Sequence, residues 1–271
     1  MAKMTVKQII LTGIIVVFTV SSALAAGVKN SIHVRHGKLV VWSYSGAEGP
    51  NYWAELSERY GLCKTGQMQS PVDIGDSQQS GLAPFTADYR ATPLRVINNG
   101  HTIEAEYAPG SNLTQGSMKY ELLQFHFHSP SENMLSGKQF DMEIHFVHKD
   151  QAGHLGVLAV FVEKGAANPA IGEIWRYLPQ QANSATEPEG VTFNGGDLLP
   201  TSRRYYRFVG SLTTPPCSEG VQWHVLKTPI EVSSGQVKAF LDLVGENARP
   251  VQNLGHRLLI DSSNKAGGGS H

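Results

Sequence analysis

Two stretches alternate between apolar and polar side chains, Leu123-Gln124-Phe125-His126-Phe127-His128 and Met142-Glu143-Ile144-His145-Phe146-Val147. A period of two marks a β-strand, in which neighbouring residues point to opposite faces. Phe125 and Phe127 therefore share one face, and Gln124, His126 and His128 the other. In the second run Ile144 and Phe146 go with the apolar face, while Glu143, His145 and Val147 point the opposite way. Shorter alternating runs, Thr102–Tyr107 and Val157–Phe161, are separated by turn clusters such as Ala108-Pro109-Gly110-Ser111-Asn112, which predicts antiparallel sheet. Two helical patterns interrupt it. Asn168-Pro169 supplies a cap and a first-turn proline before a stripe of Ile171, Ile174, Trp175 and Leu178; from about Ser234, Val237, Phe240, Leu241 and Val244 face inward. Trp42 to Ile74 has no sustained period and reads as an ordered wrapping segment with a short helix near Tyr52–Tyr60. The pattern is strand-dominated, with helices at the periphery.

The chain has 271 residues and 41% hydrophobic content, enough for one large core in a single domain, set at residues 30–263. A formal net charge of −1 gives no reason to expect nucleic acid or an anionic membrane as a partner. At the start, Lys3 and Lys7 precede an apolar run from Ile9 to Val20, and Ala23-Leu24-Ala25 has the small-x-small pattern of a signal-peptidase site. The competing reading is a membrane anchor, but a dozen apolar residues fall short of the roughly 20 that span a bilayer. Residues 1–25 are therefore expected to be a signal peptide and the domain to be exported, periplasmic or secreted, without a stable membrane anchor. Residues 264–271, ending Gly267-Gly268-Gly269-Ser270-His271, have linker composition and stand outside the expected fold. Export gives meaning to the two cysteines, Cys63 and Cys217, because an oxidising compartment permits a disulfide between them; two unrelated buried thiols is the other reading.

If the two alternating strands are neighbours, His126, His128 and His145 converge. One histidine on a strand face is usually a hydrogen-bonded core or surface residue, and a bare His-x-His is weak. Here Gln124 precedes His126 by two residues on the same face, and Glu143 likewise precedes His145. Each could accept a proton from the second ring nitrogen and fix the tautomer. Three neutral imidazoles with no fourth protein ligand suit a catalytic zinc, whose remaining position holds water or substrate. Another zinc hydrolase or esterase is the competing class, but its common ligand run needs an Asp soon after the second His, where Ser129-Pro130-Ser131 stands.

Together with Trp42-Ser43-Tyr44, Gln69-Ser70-Pro71-Val72-Asp73-Ile74, Asn98-Asn99-Gly100-His101, Gly210-Ser211-Leu212-Thr213-Thr214-Pro215-Pro216, Trp223 and Asn247-Ala248-Arg249-Pro250, these residues resemble the α-class carbonic anhydrases over nearly the whole chain. Ser43 stands where many members have Gly, and Ser129-Pro130-Ser131-Glu132 looks like the shorter bacterial form. The resemblance implies an α+β domain around a large, twisted, mixed but mainly antiparallel sheet. It implies a zinc-dependent lyase that hydrates carbon dioxide reversibly to bicarbonate and a proton through hydroxide held on Zn2+. By the same resemblance His126, His128 and His145 are ligands, with Gln124, Glu143 and Asn247 behind them. Thr213 and Glu132 orient the hydroxide, His101 shuttles protons, and Val147, Val157, Leu212, Thr214 and Trp223 line the substrate pocket. Sulfonamides and anions are the expected inhibitors, and a homodimer stays open. A catalytically silent binding module on the same fold is the further alternative; such proteins lose ligand histidines, and all three are present. His148 and His224 read as structural, and His33, His36, His154 and His256 as residues of termini or turns.

Overall fold

The structure is a computed structural model that describes residues 34–35 and 38–263. The expected signal peptide, the glycine-rich tail, His33 and His36 lie outside the described residues. The architecture is a twelve-stranded sheet. Seven of its strands position the site: β1 (Val96–Asn98), β2 (Ile103–Glu106), β3 (Met118–His128), β4 (Met142–Lys149), β5 (Leu155–Lys164), β6 (Tyr205–Ser211) and β7 (Glu219–Val232). In space they run β1-β2-β3-β4-β5-β7-β6, antiparallel except for β5 against β7. The mixed, mainly antiparallel sheet expected from the sequence is thus the one found.

Both faces of this sheet are covered. On one, Phe125, Phe127, Ile144, Phe146, Leu158 and Val160 form a core with the helices α3 (Pro169–Trp175) and α4 (Ser234–Val244). On the other, Val157, Ala159, Phe161, Trp223 and Val225 pack with Val72 and Ile74. Burial on both sides is why β5 carries the unbroken apolar run Val157–Val162 instead of an alternation. Helix α3 starts as predicted, with Asn168 Oδ1 accepting from the Ala170 and Ile171 amides, but it ends at Trp175. Leu178 packs on the core from beyond the helix. Helix α4 opens with a capping box between Ser233 and Gln236 and buries Val237 and Phe240; Leu241 and Val244 are half-buried against the same core.

The wrapping segment departs from its prediction. In place of one helix over Tyr52–Tyr60 there is α1 (Trp53–Leu56), a 3-10 turn over Glu58–Tyr60, and a further turn α2 (Leu62–Thr65). Ser57 causes the break: it adopts an extended conformation (φ −157°, ψ 142°), and its hydroxyl caps the next turn at Arg59 N. A serine hydroxyl that competes with the helical hydrogen-bond ladder favours such starts over helix interiors. Cys63 in α2 is bonded to Cys217, 154 residues away, with Cα atoms 5.1 Å apart. Closing so long a loop stabilises the fold by at most about 5 kcal/mol in the chain-entropy picture. The bridge joins the wrapping segment to the loop that follows β6.

Candidate metal centre

Strands β3 and β4 pair with a register shift between Leu122 and Gln124, after which Phe125 faces Phe146, His126 faces His145 and His128 faces Glu143. Directly opposed residues share a sheet face. The alternation read from the sequence therefore brings His126, His128 and His145 together, with ligand-capable nitrogens all within 4.8 Å of one another. The ring centroids lie 5.0 Å apart for His126 and His128, and 4.5 Å for His128 and His145.

Two of the three imidazoles donate from the other nitrogen to an acceptor, and the third has a carboxylate beside it. His126 Nδ1 donates to Gln124 Oε1 at 2.8 Å, and His128 Nδ1 to the Asn247 carbonyl at 2.8 Å. Both bonds leave an Nε2 lone pair free. For His145 the arrangement is inverted: Glu143 Oε1 lies 3.2 Å from Nε2, although no hydrogen bond forms in this geometry. Burial lowers all three pKa values, and the neighbouring imidazoles add to the fall at His126 and His145. At His128 the Asn247 carbonyl and Glu143 act against the fall. The site thus holds neutral rings, the form that binds metal. His128 Nε2 is buried with no hydrogen-bond partner, a costly state for a polar atom and one a metal would relieve. The donor set fits zinc.

Glu143 has a second task. Its Oε2 accepts from the backbone amides of Glu132 (2.9 Å) and Asn133 (2.8 Å), and its Oε1 from Asn133 Nδ2 (2.7 Å). The carboxylate behind His145 therefore also fixes Glu132. Glu132 Oε1 accepts from Arg249 N at 2.8 Å, while Oε2 lies 3.5 Å from His128 Nε2. Burial pushes the Glu132 pKa up to about 8; the Thr213 hydroxyl and the Arg249 amide act against that rise. Asn247 ties the rest together: its Oδ1 accepts from Ser129 N, and its Nδ2 donates to the carbonyls of His101 and Phe127.

Val147, Val157, Leu212 and Trp223 lie in one apolar cluster, and the Trp223 ring stands edge-on to His145 with centroids 5.0 Å apart. Thr214 is half-buried, and its carbonyl accepts from Cys217 N at 2.8 Å. His101 is half-buried, its ring stacked on Trp42 at 3.7 Å and 6°, and burial lowers its pKa. His148 and His224 are buried on the opposite face, and His154 is in a turn.

Several residues were not assigned a role in the sequence. Arg249 is buried, and its guanidinium donates to Gln69 Oε1, Ser70 O and Cys63 O, bracing the disulfide and the Thr213 loop. Ser70 and Ser211 exchange two hydrogen bonds, so a Cβ at Gly210 would meet Ser70 Oγ at 2.1 Å. That close approach is why glycine stands there. Glu104 pairs with His126 from β2, and burial, with Glu106 beside it and Arg95 opposing, pushes its pKa up to about 7. The alternation Ile103-Glu104-Ala105-Glu106 was the signal that could have put Glu104 on the histidine face.

The chain matches the family described as eukaryotic-type carbonic anhydrase over residues 48–263. It is 44% identical over 228 residues to a carbonic anhydrase of Neisseria gonorrhoeae, covering 83% of this chain and 90% of that one. It is 42% identical over 230 residues to one of Nostoc sp., covering 83% and 87%. Among solved structures, the α-carbonic anhydrase of Thermovibrio ammonificans in complex with the inhibitor sulfanilamide superposes with a TM-score of 0.79 at 41% identity, covering 82% of this chain and 99% of that one. A family match across most of the chain, on the same sheet, shows that the chain belongs to the α-carbonic anhydrase family.

Proposed function

We propose that His126, His128 and His145 hold one Zn2+ and that the site hydrates carbon dioxide reversibly to bicarbonate and a proton. The observation that carries this reading is the convergence of three neutral imidazoles, two hydrogen-bonded to an acceptor and the third beside the Glu143 carboxylate, next to an apolar wall. Zinc bound there supplies Lewis acidity that makes hydroxide available near neutral pH. The remaining work belongs to the chain. With the charge of a bound cation beside it, the Glu132 carboxyl would be held ionised against the effect of its burial, and Thr213 then donates its hydroxyl proton to it, which leaves the threonine oxygen only an acceptor towards the reacting group. A ligand without a proton to offer is then disfavoured, and a deprotonated sulfonamide, which keeps one N–H, is favoured. Val147, Val157, Leu212 and Trp223, with Thr214 at the rim, form a cleft suited to a small uncharged substrate that hydrogen-bonds poorly. His101 takes the released proton to solvent, as an imidazole that titrates near working pH can.

Stopped-flow hydration of carbon dioxide, with and without a chelator and beside a metal analysis, tests the reading. One zinc per chain and chelator-sensitive hydration are expected. A metal-free protein with full activity would overturn it. Export to the periplasm or the medium is supported by the Cys63–Cys217 bridge, since such bonds persist in oxidising compartments. Among the described residues no helix is long and apolar enough to cross a membrane. A non-reducing mass measurement on the fractionated cellular protein should show cleavage after residue 25 or 26 and no free thiol; two titratable thiols in uncleaved protein would count against export.

A further inference from the structure

A half-open cavity of about 280 Å3 shares Glu132 with the site above but none of its histidines or wall residues. One local feature makes room for it: Ala248 offers only a methyl group between Asn247 and Arg249, both of which are buried and held by hydrogen bonds. Met134, Ala248, Pro250 and Val251 give the cavity an apolar side. Its polar lining is Tyr44, Glu132, Gln139, Glu246 and Arg249. Arg249 lines it, yet the guanidinium is turned away to Gln69, Ser70 and Cys63. Gln139 donates one amide N–H to Ser131 O, and its Oε1 is an acceptor. The Glu246 side chain is exposed, and no cation lies within ion-pairing distance of it among the described residues. Acceptor oxygens and one unpaired negative charge set among apolar side chains match a donor cation on a compact apolar body.

We infer that this cavity is a second small-molecule site that takes a primary ammonium ion carrying one apolar ring. The ammonium group meets Glu246 and Gln139, and the ring lies on Met134, Ala248 and Val251. The volume falls just under the roughly 300–1,000 Å3 of pockets that enclose drug-sized ligands, so a single ring is the fitting size. For a ligand of so few atoms the dissociation constant is about 1 mM. The inference rests on the cavity and its charge, independently of the metal reading.

Benzylamine is the probe. Titrated into isotope-labelled protein whose histidine site is saturated with a sulfonamide, it should shift the backbone signals of Met134, Gln139, Glu246 and Val251 in the millimolar range. Benzyl alcohol, of the same shape without the charge, should bind about tenfold more weakly or worse, and Glu246→Lys should weaken benzylamine by a similar factor. Glu246 is exposed, so that variant keeps the fold; Ala248→Trp should fill the cavity and abolish the shifts. Signals that move only around Thr213 and the histidines, or equal binding of the alcohol, or an unchanged affinity in Glu246→Lys, would overturn the assignment. Run without sulfonamide, the titration reads the cavity by where the shifts fall, so failure of sulfonamide binding would count against the metal reading alone.

Discussion

His145 and His148 sit three residues apart on β4 and face opposite sides of the sheet, and the two faces treat buried histidines differently. On one face His145 meets His126 across the strand pair and His128 beside it. On the other, His148 meets the Tyr89 hydroxyl at 2.7 Å, and His224 meets Gln115 Oε1 at 3.1 Å beside the Phe85 and Tyr205 rings. Burial lowers the pKa in both sets, to about 4 at His148 and about 3 at His224, where Arg207 and His148 add to it. Depressed basicity therefore does not distinguish a metal site from a packed histidine. Convergence does.

The largest test breaks the convergence. His128→Ala should leave a folded protein with little bound zinc and little hydration activity, a loss beyond the ~10–100-fold that removal of an outer partner costs. His148→Ala should do the reverse: zinc content unchanged, with stability lower by about 1–3 kcal/mol because the Tyr89 hydroxyl is left buried and unpaired. Metal analysis and denaturant melts on the two variants separate the faces. Full zinc and normal turnover in His128→Ala would dissolve the distinction.

Next in size is Glu132→Gln, which keeps the shape of the side chain but puts a donor beside Thr213. Zinc should stay, and hydration should fall on the order of 100-fold. Loss of metal instead would mean that Glu132 serves the histidines directly, through the Oε2 that lies 3.5 Å from His128 Nε2.

The far face can be read in acid. Folded His148 and His224 resist protonation, while the unfolded chain takes protons up below about pH 6.5. The unfolded state thus binds more protons, so their contribution is fully present above pH 6.5 and is lost as pH falls towards about 4 and 3. Each contributes a slope of up to about 1.4 kcal/mol per pH unit within that window. Urea melts of His224→Gln between pH 6.5 and 5 should show the slope reduced by that amount, before most carboxylates titrate. An unchanged slope would mean that His224 titrates normally in the fold.

What the sequence made legible was what is local. Gln124 and Glu143 lie two residues from His126 and His145, so the strand period alone put them on the right face. The helix start at Asn168 was readable for the same reason. The acceptor for His128 is a backbone carbonyl at Asn247, 119 residues away, and a carbonyl leaves no mark in composition or period. The Arg249 network and the Trp42–His101 stack likewise join distant segments. Ser57 broke the predicted helix through a hydroxyl whose cap competes on nearly equal terms with the helical ladder.

The smallest expected effect concerns His101, the one histidine of the proposed machinery that belongs to neither buried set. It is half-buried and stacked on Trp42, and its carbonyl is held by Asn247. If it carries protons outward, it acts only after carbon dioxide has become bicarbonate, so the steps that set kcat/KM do not involve it. His101→Ala should therefore lower kcat in weak buffer by about tenfold while leaving kcat/KM for carbon dioxide nearly unchanged. That is less than the ~10²–10⁴-fold typical of general acid–base groups acting on the reacting atoms, because solvent and buffer offer other exits. Imidazole buffer should restore much of the loss, since a base with pKa near 6.5 can take the same proton. Burial lowers the His101 pKa, which favours its neutral, proton-accepting form, so the rescue should be greatest where added imidazole is itself unprotonated, above pH 6.5. Trp42→Ala keeps the imidazole but removes its platform; an intact kcat there with a reduced kcat in His101→Ala would assign the effect to the ring and not to the stack. A fall in kcat/KM in His101→Ala would instead place the residue in substrate binding or in the Asn247 hinge behind His128.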